Sequence, residues 1–253
     1  MLQNPVQATA PTVLKVHRPS TVDLIAAELR KAIYSGALQV RAPLREVEIA
    51  GQLGVSRSPL REAAQRLVQE GLLTAHPGQG LRVAYVDEDR LDDLFEARIA
   101  VESHAARMII DRNDDDAIAA VEKALARLKE AAEGDDARAI GDADLDFHLA
   151  LVQAAGNAHL TQYMSTLVIE TRLASYSSKE GYVVRRDVTP TYHAIVDALK
   201  AGDGDAAADA IREQLAAAVD RLTGKLAERG VEVDTVAEEA KPADGYSLGP
   251  IGQ

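Results

Sequence analysis

The stretch GVSRSPLREAAQRL, residues 54–67, carries Arg57, Arg61 and Arg66 in a chain whose formal net charge is -12. A guanidinium offers a planar fork of N–H donors that can bond guanine O6 and N7 together or clamp a phosphate. Concentrated on one short segment of an acidic protein, such forks point to a polyanion. A second set of residues stands where apolar side chains are expected. Arg98 interrupts the stripe Leu94, Val101, Ala105 and Met108, with Glu102 one turn on as its ion-pair partner. Asp144 and His148, at i and i+4, direct a carboxylate and an imidazole at one spot, a pairing suited to a divalent metal. Tyr192 is in phase with Ile195, Val196 and Leu199, and Gln214 edges the stripe Ile211, Leu215, Ala218 and Leu222. His193 shares a face with Asp197 and Lys200 and is expected to point outward. Arg172 and Tyr176, again at i and i+4, are candidates for the wall of the same pocket. His76, His104 and His159 have no such setting.

Both sets need elements to hold them. Ser20 or Thr21 can cap a first helix, with Leu24, Ile25, Leu29 and Ile33 on its stripe and Gly36 at its end. After a loop with Pro43, Val47, Ile49, Ala50 and Leu53 make a short helix that Gly54 breaks, and Ser56 or Ser58 can cap the next. In that helix Leu60, Ala63, Ala64, Leu67 and Val68 form one core stripe and leave Arg57, Arg61 and Gln65 outside. Two helices across a tight glycine turn make a helix-turn-helix. The runs 72–75 and 81–86 then read as a hairpin around a Gly/Pro-rich turn, which in this place is a wing. From 87 to about 230 the pattern is helical, broken near Asn113, Gly134, Gly156, 178–189 and 202–204, giving about six helices in a bundle.

The expected fold is therefore mainly α. Residues 1–19 form an N-terminal arm, 20–86 a winged helix-turn-helix with its small β-hairpin, 87–230 an all-α bundle and 231–253 a disordered acidic tail. Charge divides the same way. Residues 1–86 hold ten Lys/Arg against six Asp/Glu, net +4, while the rest holds 18 against 34, net -16. One part can approach DNA and the other is repelled by it. No cysteine is present, which excludes disulfides and thiolate metal sites. With neither a signal sequence nor a long apolar run, a soluble cytoplasmic protein without membrane contact is expected.

A recognition helix exposes its first turns to base edges while its other face packs on the helix before it. Arg57, Arg61 and Gln65 fit that role. Arg45, Ser56, Ser58 and Arg82 could supply backbone contacts, and Gln79, beside Gly80 at the wing tip, could enter a minor groove. The competing reading makes the arginines ordinary surface pairs, for instance Arg61 with Glu62 or Glu46.

The segment EIAGQLGVSRSPLREAAQRLVQEGLL followed by PGQG resembles the winged helix-turn-helix of GntR-family transcription regulators. The runs LFEARIAVESHAARM, DLDFHLALVQAAGN and YHAIVDALKAGD resemble the all-helical FCD-type ligand-binding domain of the FadR-like subgroup. The resemblance implies a homodimeric repressor or activator that binds a palindromic double-stranded operator and releases it, or grips it, when a small carboxylate-bearing effector occupies the bundle. It also implies operator contacts by Arg57 and Arg61. Relatives usually carry Pro-Gly before the second helix, where this chain has Val40-Arg41. Many relatives hold a metal with one Asp and three His. Asp144 and His148 match the first two ligands, but Tyr192 and Gln214 stand where the other two histidines would be, so a divalent metal is expected to bind weakly or not at all. Tyr192 and Gln214 are then expected to hydrogen-bond the effector while Arg98 clamps its carboxylate. Two other functions compete: a metal-dependent helical hydrolase carrying a winged helix, and an architectural DNA binder whose bundle only dimerises. The hydrolase lacks a nucleophile with a neighbouring base.

Overall fold

The computed structural model describes residues 19–177, 182–185, 190–223, 225 and 235–238; the arm before 19 and the rest of the expected tail lie outside the described residues. The N-terminal unit begins with α1 (Thr21–Tyr34), where Ser20 and Asp23 form a reciprocal capping box. Helix α2 (Glu46–Leu53) ends on Gly54 at φ 67, a left-handed position that glycine adopts without Cβ strain. Helix α3 (Arg57–Gln69) follows with Ser56 at its N-cap position. Ile25, Leu29, Ile33, Leu53, Leu60 and Leu67 are fully buried between these helices.

Leu24 and Val47, both expected on buried stripes, are corrections: they are 39% and 68% exposed. In each case an adjacent or nearby residue, Ile25 or Ile49, takes the core position instead. Strands β1 (Leu73–His76) and β2 (Gly80–Val83) pair antiparallel with Leu73 opposite Val83, forming the wing.

The loop before α2 solves its problem without glycine. Arg41 sits at φ 65, a left-handed conformation that costs a residue with Cβ about 1–2 kcal/mol. Its neighbours hold it there. The Arg41 N–H donates to the Val83 carbonyl at 3.0 Å and its own carbonyl accepts from Arg82 at 3.0 Å. Its guanidinium stacks 3.8 Å from the Tyr85 ring centre and pairs with Asp87.

A short 3-10 turn leads into six helices: α4 (Leu91–Arg112), α5 (Asp115–Ala132), α6 (Ala137–Ala154), α7 (Ala158–Ser177), α8 (Pro190–Ala201) and α9 (Gly204–Leu222). Asp114, Asp136 and Asp203 cap α5, α6 and α9 through backbone N–H groups, satisfying donors that the helices cannot pair internally. Phe147, Leu151, Ile195, Ile211 and Leu215 lie at the centre of this second core.

Two short strands were not expected. β3 (Tyr182–Arg185) lies within the interval read as a break between helices, and β4 (Thr235–Glu238) lies within the stretch read as a disordered tail. They pair antiparallel, with Val184 opposite Val236. An extended segment leaves a row of backbone donors and acceptors open on its edge, and a second strand satisfies them. Val184 is buried against Ala137, Ile140 and Tyr176.

The two cores meet through α7. Leu173 is 1% exposed and belongs to the core of the N-terminal unit, with Ile169 packed beside it.

Candidate functional site

The first turns of α3 present Arg57, Ser58 and Arg61 to solvent because Leu60, Ala63, Ala64 and Leu67 turn the opposite face inward. Arg61 Nε donates to Glu46 Oε2 at 2.6 Å, and Arg57 approaches the same oxygen at 3.6 Å. One carboxylate from α2 thus gathers both guanidinium groups at the start of α3. The sequence allowed Arg61 to pair with Glu46 as an ordinary surface contact, and that pair is present. The pairing leaves both arginines more than half exposed. Arg66 turns away to Asp23 and Glu62 and braces α3 against α1.

Arg61 and Gln65 face the wing across an open groove bordered by Glu46, His76, Gly78 and Gly80. Gln79 is exposed at the wing tip and accepts from Arg82, whose other nitrogen is committed to the Arg41 carbonyl. Arg82 therefore supports the wing from inside. Arg45 is exposed and reaches Glu48 at 3.5 Å, and Ser56 is exposed without a side-chain capping bond.

Within the bundle, α4, α6, α7, α8 and α9 each contribute a polar side chain to one buried network. Glu102, at 0% exposure, is its hub: Oε1 accepts from Arg98 Nε at 2.9 Å and Oε2 is 2.6 Å from His148 Nδ1. A carboxylate can only accept, so Nδ1 carries the proton and His148 Nε2 is the open nitrogen. Burial works against the charge on Glu102, yet His148 and Arg98 together hold its carboxyl below the ordinary value of 4.5. Arg98 Nη1 also lies 3.4 Å from the Thr171 hydroxyl.

Beside this triad the Tyr192 phenol donates to Asp144 Oδ1 and accepts from Gln214 Nε2. Phe147 packs edge-on to both His148 and Tyr192 and keeps the two halves of the network in register. Burial, followed by the nearby Asp144 carboxylate, pushes the Tyr192 phenol well above 10.

The inward set expected from sequence, Arg98, Asp144, His148, Tyr192 and Gln214, is thus brought together. Tyr192 differs in detail: its hydroxyl is already satisfied by Asp144 and Gln214. Glu102 was read only as the partner of Arg98, and Thr171 and Arg221 were not singled out. Arg221 follows Gln214 by seven residues on the same face of α9 and acts electrostatically on the Tyr192 phenol.

Arg172 and Tyr176 lie where α7 meets α1. The guanidinium of Arg172 pairs with Asp142 and lies 4.8 Å from the Tyr34 ring centre, and the Tyr176 hydroxyl donates to the Tyr34 carbonyl. Both side chains join α7 to the end of α1. Helical spacing places them on one face but does not say which domain that face meets.

The metal implied by the resemblance does not fit these donors. Asp144 Oδ1 is engaged by a phenol that stays protonated, His148 is held through Nδ1, and the other two positions offer that same phenol and a primary amide, both poor ligands beside imidazole. Among the described residues no cluster of three or more His, Asp or Glu is arranged to hold an ion.

Comparison with known proteins covers both units. Residues 21–83 match the family described as bacterial regulatory proteins, gntR family, and residues 93–217 match the FCD domain. The chain is 38% identical over 187 residues to a probable D-xylose utilization operon transcriptional repressor of Paenarthrobacter nicotinovorans, spanning 73% of this chain and 81% of that protein. It is 30% identical over 194 residues to a putative L-lactate dehydrogenase operon regulatory protein of Escherichia coli (strain K12), spanning 67% and 73% of the two chains. A crystal structure of a putative GntR transcriptional regulator from Rhodococcus sp. RHA1 superposes with a TM-score of 0.68 at 28% identity over 80% of this chain and 97% of that one. The family and these relatives are regulators of transcription, not enzymes. Among the described residues no helix is long and apolar enough to cross a membrane. An exposed pair of arginines on a recognition helix, a wing beside it and a helical FCD domain behind it make this chain a member of the GntR family of transcription regulators, in the group that carries an FCD domain.

Proposed function

We propose that the chain is a cytoplasmic repressor that binds a palindromic operator as a homodimer and releases it when a small organic acid occupies the polar network of the bundle. Arg57 and Arg61 would read base edges in the major groove, with Arg45, Ser56, Ser58 and Gln65 on or near the backbone and Gln79 and Gly80 at the minor groove. A two-fold dimer presents two such helices to related half-sites, which is why a palindrome is expected. Relatives named for xylose and lactate dehydrogenase operons support a target linked to small metabolites.

The observation that carries control by an effector is the position of α7. Thr171 on this helix lies against Arg98 in the polar network, while Leu173, Arg172 and Tyr176 pack into or against the DNA-binding unit. A ligand that re-pairs Arg98 therefore acts on a helix that also touches α1. It can change operator affinity only by favouring one arrangement of these contacts over the other.

The test is footprinting of the full chain on a selected operator, with and without candidate acids. A symmetric footprint lost on addition of an acid supports the proposal. A single asymmetric half-site, or a footprint indifferent to every acid, contradicts it.

A further inference from the structure

Four side chains around Glu102 and Tyr192 each keep one polar atom open. Arg98 Nη2, His148 Nε2, Gln214 Oε1 and Arg221 Nε are buried polar atoms without a hydrogen-bond partner among the described residues. Leaving one such atom unpaired costs about 1–3 kcal/mol, so several in one network indicate a binding partner rather than a self-satisfied core. Their types specify that partner. Arg98 Nη2 and Arg221 Nε can only donate, Gln214 Oε1 can only accept, and His148 Nε2 does either according to its proton.

The charges narrow the choice. Arg98 and Arg221 balance Glu102 and Asp144, and a ligand carboxylate can accept from His148 Nε2 only when the imidazole carries a second proton besides the one on Nδ1, so the site offers one positive charge beyond balance and not several. That suits one carboxylate and disfavours a di- or tricarboxylate. The open Gln214 oxygen requires a donor from the same ligand, and a hydroxyl supplies it. The arrangement that excludes a metal also explains how the site works without one: the Tyr192–Asp144 hydrogen bond joins α8 to α6, and Gln214 extends the link to α9.

We infer that the bundle binds a hydroxylated monocarboxylate directly and without a metal, its carboxylate on Arg98 Nη2 and His148 Nε2 and its hydroxyl donating to Gln214 Oε1, with Arg221 closing the α9 side. This rests on the reading of the network as the effector site and adds to it the ligand class and the absence of a metal.

Thermal unfolding of the full chain tests the inference with zinc chloride alone, and with lactate, propionate, malonate, gluconate and glucose, each with and without EDTA. Zinc is expected to leave the midpoint in place. Lactate or gluconate is expected to raise it equally with and without EDTA, and to bind roughly tenfold tighter than the acid or sugar that lacks the hydroxyl or the carboxylate. In Gln214→Leu the advantage of lactate over propionate should vanish. The double substitution Tyr192→His with Gln214→His, which sets two imidazoles beside Asp144 and His148, should gain stabilisation by zinc.

Stoichiometric zinc binding by the unsubstituted chain, loss of acid binding in EDTA, equal binding of glucose or malonate, or no response to either hydroxy acid would each overturn the inference. A hydroxy acid that binds as described but leaves operator affinity unchanged supports the ligand assignment while refuting control of DNA binding.

Discussion

Replacing Glu102 with leucine should be the most damaging single change in the bundle that leaves its volume nearly intact. Glu102 is 0% exposed and Arg98 is 1% exposed, and the carboxylate bonds both Arg98 Nε and His148 Nδ1. An imidazole has a neutral form, but a guanidinium does not. The variant therefore buries a guanidinium stripped of its carboxylate, with a hydrogen bond to the Thr171 hydroxyl at 3.4 Å. Breaking a buried pair from one side costs about 3–5 kcal/mol. At about 3 °C per kcal/mol for a domain of this size, the midpoint should fall by roughly 10–15 °C.

Removing both charges is a different perturbation. Arg98→Met with Glu102→Leu replaces the pair by apolar groups, and such exchanges are often close to neutral. The double variant still leaves the His148 Nδ1–H without its acceptor, at about 1–3 kcal/mol, but it should be more stable than Glu102→Leu alone, a favourable coupling in a double-mutant cycle. Urea unfolding followed by far-ultraviolet circular dichroism measures all four proteins. If Glu102→Leu costs less than about 1 kcal/mol, or if the double variant is as unstable as the single one, the pair is not the hub described above.

Three further outcomes follow from the same contacts. Arg61→Ala should weaken specific operator binding by roughly ten- to a hundredfold at fixed salt, whereas Glu46→Gln, which releases both arginines from a negative charge, should tighten non-specific binding and lower the specificity ratio in salt-dependent anisotropy titrations. The Glu102 carboxyl titrates below 4.5 in the folded chain, so its contribution is present above that pH and fades as pH falls through the folded value; Glu102→Gln should flatten this acid limb, and Tyr192, with its phenol raised above 10, should add a loss of stability only as pH climbs past 10. The side-chain and backbone hydrogen bonds from Ser20, aided by Arg66, hold Asp23 at about 2, so carbon-13 titration of Ser20→Ala should show its carboxyl moving up toward 3.8.

The sequence was most legible where one helix face decides the outcome. The stripe of Leu60, Ala63, Ala64 and Leu67 specifies which side of α3 is exposed, and Gly54 specifies the turn before it. It was least legible where two apolar residues compete within a short helix. Leu24 beside Ile25, and Val47 near Ile49, cannot both face the core, and periodicity over two or three turns does not choose between them.

The buried polar set could be read because each member breaks an apolar stripe, but its wiring could not. Glu102 is the hub only because α6 brings His148 to its second oxygen. Thr171 gave no signal because α7 is covered on two sides, by the bundle and by the DNA-binding unit, which blurs its polar and apolar faces. The same double packing gave no signal for the contacts of Arg172 and Tyr176 with Tyr34. Strands β3 and β4 satisfy each other across about fifty residues, a pairing that local pattern does not reveal.

The proposed function requires one chain to join a DNA-reading face to a metabolite-binding network. Selection from randomised duplex DNA, repeated with a saturating hydroxy acid, examines that union directly. The predicted result is enrichment of a two-fold symmetric sequence without the acid and its loss with it; enrichment of no sequence, or the same sequence at the same strength in both selections, would contradict the account.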